Sequence, residues 1–157
     1  MNKEKMLQGM SLFLEGLRVD LDNKHLVETP ERIVRAWTES FAKGYNENPV
    51  KHLEKTFTDE YDSMIVIKDI PFVSTCAHHL VPFYGKAKIG YIPNGIITGL
   101  SKLVRVLEGY ARRLQIQERL TEQVAYAIDK TLEPKGVGVI LEAEHMCMTI
   151  RGISKPG

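Results

Sequence analysis

The segment STCAHH, residues 74–79, sets Cys76 beside His78 and His79, and the segment EHMC sets His145 two residues before Cys147. Together they hold both cysteines and three of the five histidines of a 157-residue chain. Thiolate and imidazole are donors that zinc prefers, and a Cys-x-x-His spacing lets two of them reach one ion from a turn. Cys76 and His79 have that spacing. His145 and Cys147, two apart, share a face if their segment is extended. Neither pair alone is strong, because free cysteine is among the most buried residue types and two unrelated core thiols are the plain alternative. Their concentration in two short segments predicts one metal site. Five donors are present, and spacing does not decide which of them bind. If two thiolates and one histidine take the ion, two histidines are left beside it. Imidazole titrates near neutral pH and suits proton transfer. A structural site is closed by four protein ligands and has no use for spare histidines, so the layout favours chemistry.

A second group of residues suits an anion. Lys102 and Arg105 lie three apart in GLSKLVRVLEGYARR, Arg32 and Arg35 repeat that spacing in ETPERIVRAW, and Arg151 follows the second cysteine. Most such charges are solvated helix faces. The functional reading is a phosphate pocket, since helix starts and guanidinium forks both bind phosphate. Gln117 and Glu118 stand in QIQERL. An ionised carboxylate accepts a pair of parallel donors, such as guanine offers on its pyrimidine edge. Glu118 is equally a first-turn helix acid favoured by the dipole. No P-loop and no G-x-G-x-x-G occurs, so a nucleotide here is not held in either of those ways.

These side chains need elements to place them. The chain is 43% apolar and 26% charged, the balance of a soluble globular protein, and its length fits a single domain over 1–157. Its 21 basic and 20 acidic residues nearly cancel, so nothing global points to nucleic acid or an anionic membrane. No apolar run approaches the roughly 18 residues of a membrane span. The start, MNKEKMLQGM, lacks a signal peptide's apolar region, and two cysteines make no disulfide framework, so a cytoplasmic setting with reduced thiols is expected.

Periodicity predicts a helix over about 3–17 with Met6, Met10, Phe13, Leu14 and Leu17 on one face. A second begins with Thr29 as N-cap and Pro30 at the first helical position, presenting Ile33, Val34, Trp37 and Phe41. Residues 62–75 are rich in β-branched side chains, and 83–92 alternate, with Phe83, Ala87, Ile89 and Tyr91 on one side. A turn follows at Pro93–Gly95. Ser101 caps a helix of about 102–114 with Leu103, Leu107, Tyr110, Ala111 and Leu114 aligned. Another helix covers Gln117–Leu132, marked by Leu120, Val124, Ile128 and Leu132, and 136–143 forms a strand. The order is α+β with a largely antiparallel sheet, helical over about 1–50 and sheet-bearing over about 60–157.

With these residues in place, the sequence strongly resembles GTP cyclohydrolase I of the zinc-dependent type. The matching segments are ETPERIVRAW, STCAHHLVPFYGKAKIGYIP, GLSKLVRVLEGYARRLQIQERLTEQVA and EAEHMCMTIRGISKPG, in the family's order. The resemblance implies a tunnelling fold, an antiparallel sheet with helices on one side whose strands join neighbouring subunits into a barrel. It implies a homodecamer of two pentamers with active sites at subunit junctions. The implied reaction turns GTP and water into 7,8-dihydroneopterin triphosphate and formate, the first step toward folate and related pterins. By the resemblance, Zn2+ is bound by Cys76, His79 and Cys147 and activates a water against carbon 8 of guanine. His145 protonates nitrogen 7, His78 shuttles protons during ring opening, and Ser101 assists the later rearrangement of the ribose. Gln117 and Glu118 hold the guanine edge. Lys102, Arg105 and Arg151 hold the triphosphate, joined by Arg32 and Arg35 from a neighbouring subunit.

Two features depart from the family pattern. Family chains continue past Lys-Pro-Gly with one more strand, whereas this sequence stops at Gly157, so the sheet is expected to lack that strand. Arg35 stands where some relatives have lysine, which also binds phosphate but with different geometry. The short start leaves little room for an added regulatory segment. Two rival readings share part of the pattern. One is another tunnelling-fold enzyme of pterins or deazapurines, which has the acid for the base but not the Cys-x-His-His and His-x-Cys set. The other is a non-catalytic, zinc-stabilised GTP-binding regulator.

Overall fold

The alternating stretch around residue 87 becomes the middle of a four-stranded sheet. The computed structural model describes residues 1–155; Pro156 and Gly157, on which the expectation about the chain's end bears, lie outside the described residues. Helices α1 (Lys3–Gly16) and α2 (Thr29–Ala36) come first, followed by three short helical turns. Next are strands β1 (Thr56–Thr58), β2 (Ile65–Cys76), β3 (Pro82–Ile92) and β4 (Ile96–Thr98). Helix α3 (Leu100–Ala111), strand β5 (Leu114–Gln115), helix α4 (Gln117–Leu132), strand β6 (Gly136–His145) and the single turn α5 (Met146–Thr149) complete the order. The main sheet runs β5-β2-β3-β6, while β1 and β4 form a separate antiparallel ribbon. β2 and β6 flank β3 antiparallel, and β5 runs parallel to β2 over two residue pairs. The α+β reading with a largely antiparallel sheet therefore holds.

Phe83, Ala87, Ile89 and Tyr91 are buried, and Tyr84 and Lys86 are exposed, as the alternation predicts. Helices α3 and α4 cover the buried face. Leu103, Leu107 and Ala111 of the first meet Leu120, Val124, Ile128 and Leu132 of the second in one core. Each fully buried large apolar side chain contributes about 1.5–3 kcal/mol, which fixes both helices against the sheet. Ser74 adds a specific tie, donating its hydroxyl to the Ala111 carbonyl at 2.7 Å. Gly85 allows the close approach of β6, because a Cβ there would lie 1.9 Å from the Glu142 carbonyl oxygen. That approach brings His145 opposite Phe83.

Several local expectations are corrected. Thr29 is the first residue of α2, whose N-cap is Glu28, and Gly99 rather than Ser101 precedes α3; neither helix has a side-chain cap. Leu114 leaves the helix for β5, because residues 112–113 break the helical backbone so that the chain can pair with β2. Only Leu14 of the expected α1 face is buried; Phe13 and Leu17 are both 61% exposed, as α1 packs mainly on α2. Phe41 is also exposed, since α2 widens into a π-helical turn at Trp37–Phe41 that rotates it off the face. The ribbon of β1 and β4 and the strand β5 have two or three residues each, too short to show a period. Among the described residues no helix is long and apolar enough to cross a membrane.

Candidate metal and catalytic site

Strand β2 ends at Cys76, and the chain reverses through residues 77–80. Three backbone bonds, all 2.9 Å, shape this turn. The Cys76 N–H donates to Val81 O, the Leu80 N–H to Cys76 O, and the Ala77 N–H to Gln115 O. Leu80 takes a left-handed conformation, φ 57°, to close it. The reversal curls both histidines back over the cysteine. Cys76 Sγ lies 3.8 Å from His78 Nδ1 and 3.8 Å from His79 Nδ1. The three ligand atoms all lie within 4.8 Å of one another. Cys76 is buried and the two imidazoles are exposed, so an ion could be gripped from the core side and still meet solvent. The equal distances do not choose between His78 and His79.

The second segment arrives from the far side of β3. Strand β6 ends at His145, and α5 then carries Cys147, half-buried against the core. Burial pushes the Cys147 thiol up from its ordinary pKa, and the Cys76 thiol beside it pushes the same way, while Arg151 pulls it down. The two cysteines, distant in sequence, are thus neighbours, and both are free thiols. A donor set of two sulfurs and two imidazoles, with no carboxylate among them, fits zinc.

His145 is held differently. Its Nε2 lies 2.7 Å from Gln117 Oε1, and its ring stacks on Phe83 with centroids 4.7 Å apart and planes 2° from parallel. Gln117 also donates from Nε2 to the Leu141 carbonyl at 3.0 Å. Phe83 was legible only as a core residue, because its role as a platform depends on the register of β3 against β6. Gln115, whose carbonyl anchors the turn, carried no sequence signal at all.

The remaining residues spread outward. Glu118 is exposed in the first turn of α4. Ser101 and Lys102 lie in the first turn of α3. Arg105, one turn on, shares an open cleft of about 480 Å³ with Lys43, Asn46, Glu47, His52 and Glu108. Arg151 is exposed just beyond α5. The neighbours of Arg32 and Arg35 in this chain are helical rather than the metal turn: Arg32 pairs with Glu28 at 2.7 Å, and Arg35 lines a cleft with Lys3, Glu4, Glu31 and Glu39.

A family model described as GTP cyclohydrolase I matches residues 6–157. GTP cyclohydrolase 1 of Carboxydothermus hydrogenoformans is 53% identical over 157 residues, covering 99% of this chain and 81% of that protein. The enzymes of that name from Streptococcus agalactiae serotype Ia and Clostridium perfringens are each 50% identical, covering 99% of this chain and 83% and 84% of theirs. The solved structure of the archaeosine synthase QueF-Like in the apo form overlays with a TM-score of 0.48 and 17% identity, over 60% of this chain and 87% of that one. So loose an overlay decides nothing about the fold or the site.

Proposed function

The chain belongs to the GTP cyclohydrolase I family, and from that premise we propose how its residues divide the work. It is a hydrolase that acts on GTP, giving 7,8-dihydroneopterin triphosphate and formate. The observation that carries the residue assignment is the cluster of Cys76, His78 and His79 at one end of the sheet, with the Cys147 thiol beside that of Cys76 and His145 two residues before Cys147.

Cys76, His79 and Cys147 would hold a zinc ion, and a cytoplasmic setting would keep both thiols reduced for it. When bound, zinc supplies the Lewis acidity that makes water nucleophilic near neutral pH. Attack at carbon 8 of guanine drives electrons onto nitrogen 7, and His145 gives that nitrogen a proton. His78, exposed at the turn as His79 is, moves protons as the ring opens. Ser101 assists the rearrangement of the ribose after formate leaves. Glu118, at the start of α4, holds the guanine edge; Gln117, expected to share that role, has both ends of its carboxamide engaged within the chain, by Leu141 and His145. Lys102, Arg105 and Arg151 hold the triphosphate, joined by Arg32 and Arg35 of a neighbouring subunit.

Base recognition can be tested at Glu118. In the Glu118→Gln variant an NH2 group faces guanine's donors, and binding should weaken by about 2–4 kcal/mol, the scale for a charged hydrogen-bonded pair. Fluorescence of the pterin product, with ATP as a competing nucleotide, measures this. Unchanged preference for GTP over ATP would count against the assignment.

The family's assembly is the second proposal, a homodecamer whose strands join into barrels. Its support is the sheet itself: β6, ten residues long, pairs only with β3, and most of β2 has no partner on its other side among the described residues. Open edges of that length are templates for pairing with another chain. Light scattering at micromolar concentration should report a mass near ten times 17.8 kDa. A clean, active monomer would contradict the assembly.

A further inference from the structure

The Gln117 side chain is engaged at both ends, and the chemistry of its partners fixes which end is which. The Leu141 carbonyl can only accept, so the amide's NH2 group faces it, at 3.0 Å. The amide oxygen then faces His145 Nε2 at 2.7 Å, and an acceptor at that distance requires a proton on Nε2. Stacking on Phe83, itself fully buried, fixes the plane of the ring. In the neutral imidazole the other nitrogen, Nδ1, is therefore the bare one.

We propose that Gln117 is a positioning residue that sets the tautomer of His145, keeping Nε2–H bonded within the protein and leaving Nδ1 as the nitrogen that exchanges protons with substrate. This rests on the reading of His145 as the proton donor. The imidazolium gives its Nδ1 proton to nitrogen 7 of the purine as water adds to carbon 8, and the ring ends neutral with the Nε2–H to Gln117 unbroken. Base recognition then falls to Glu118, since the carboxamide of Gln117 is already committed. Without the acceptor, the ring is free to populate the other tautomer, with its proton on Nδ1 and its lone pair facing away from substrate.

The test compares zinc-loaded wild type with Gln117→Met, which keeps the length and removes the acceptor, and Gln117→Glu, which keeps an acceptor oxygen. Steady-state kinetics with GTP are paired with magic-angle-spinning NMR of 15N-histidine-labelled protein, the signals of His145 being those lost in His145→Ala. Wild type should show the Nε2-protonated neutral ring. Gln117→Met should lose about tenfold to a hundredfold in kcat, the scale for removing an orienting partner. Its KM should stay within about twofold of wild type, since no base contact is removed. Its spectrum should show mixed tautomers. Gln117→Glu should restore the Nε2-protonated form and most of kcat. A raised KM with unchanged kcat would overturn the proposal in favour of a base contact. An unaltered tautomer in Gln117→Met would reduce Gln117 to packing. If Gln117→Met does not fold, an Nδ1-protonated ring in wild type still refutes the idea. Full turnover by His145→Ala would instead sink the underlying reading of His145, whatever its tautomer.

Discussion

Replacing Cys76 or Cys147 by alanine is expected to abolish zinc retention and turnover together. The parent protein should carry about one zinc per subunit, and each variant close to none. Cys76 is 5% exposed, and its sulfur sits 3.8 Å from both imidazoles of the turn. It is the hub of the donor cluster, and its loss leaves two exposed histidines with no thiolate between them. Cys147 is the other sulfur, half-buried beside Cys76. Thiolate ligation drives affinity at sites of this kind, so the second substitution should be as damaging as the first. Because Cys76 packs in the core, a Cys76→Ser variant guards against simple misfolding: it nearly preserves volume while weakening metal binding. Zinc analysis and pterin formation are measured on the same preparations, with a thermal melt to verify folding. Wild-type activity after complete, verified metal removal would refute the zinc mechanism.

His78→Ala and His145→Ala should separate proton transfer from metal binding. Both variants should keep zinc near the parental level, and both should lose about a hundredfold or more in turnover, the usual scale for a positioned acid or base. His145 is turned toward Gln117 and stacked on Phe83, outside the Cys76, His78 and His79 cluster. Its loss should stop the first hydration, where nitrogen 7 must accept a proton. His78 acts later in the proposed sequence, so its variant should accumulate a ring-opened formamide, detectable by acid quench and chromatography. The sharper risk lies at His78, because it is as close to Cys76 as His79 is. If His78→Ala loses its metal as Cys76→Ala does, His78 is a ligand and the division of labour between the two neighbouring histidines is wrong.

Helix α4 was legible to the residue, because four apolar side chains at helical spacing, Leu120, Val124, Ile128 and Leu132, all meet the same core. Strand β3 was legible for the same reason with a period of two. The N-terminal helix was legible as a helix but not as a packed one, since Phe13 and Leu17 stay exposed. The caps failed because Thr29 and Ser101 suit a cap by type, yet whether a residue lies just before or just inside a helix depends on where the chain enters it. In the site, the donors themselves stood out by type and spacing, whereas the supports did not. Phe83 reads as core, Gln115 reads as nothing in particular, and Gln117 reads as a guanine-edge residue rather than as the partner of His145 that the structure makes it.

The sequence by itself determined the donor set, two thiols and three imidazoles in two short segments, and the helices and central strand that carry or flank them. These are local properties, written in residue type and in periods of two and 3.6 that any short window displays. Only the tertiary structure decided that Cys76 and Cys147 meet, that Gln115 anchors the metal turn, and that His145 lies between Phe83 and Gln117. Each of those contacts is set by the order and register of strands far apart in sequence, with β2 and β6 flanking β3 and β5 laid beside the end of β2. Register is chosen by the burial of whole faces at once, since a one-residue slip would turn Phe83 and its row out to solvent. No window of the chain contains that choice.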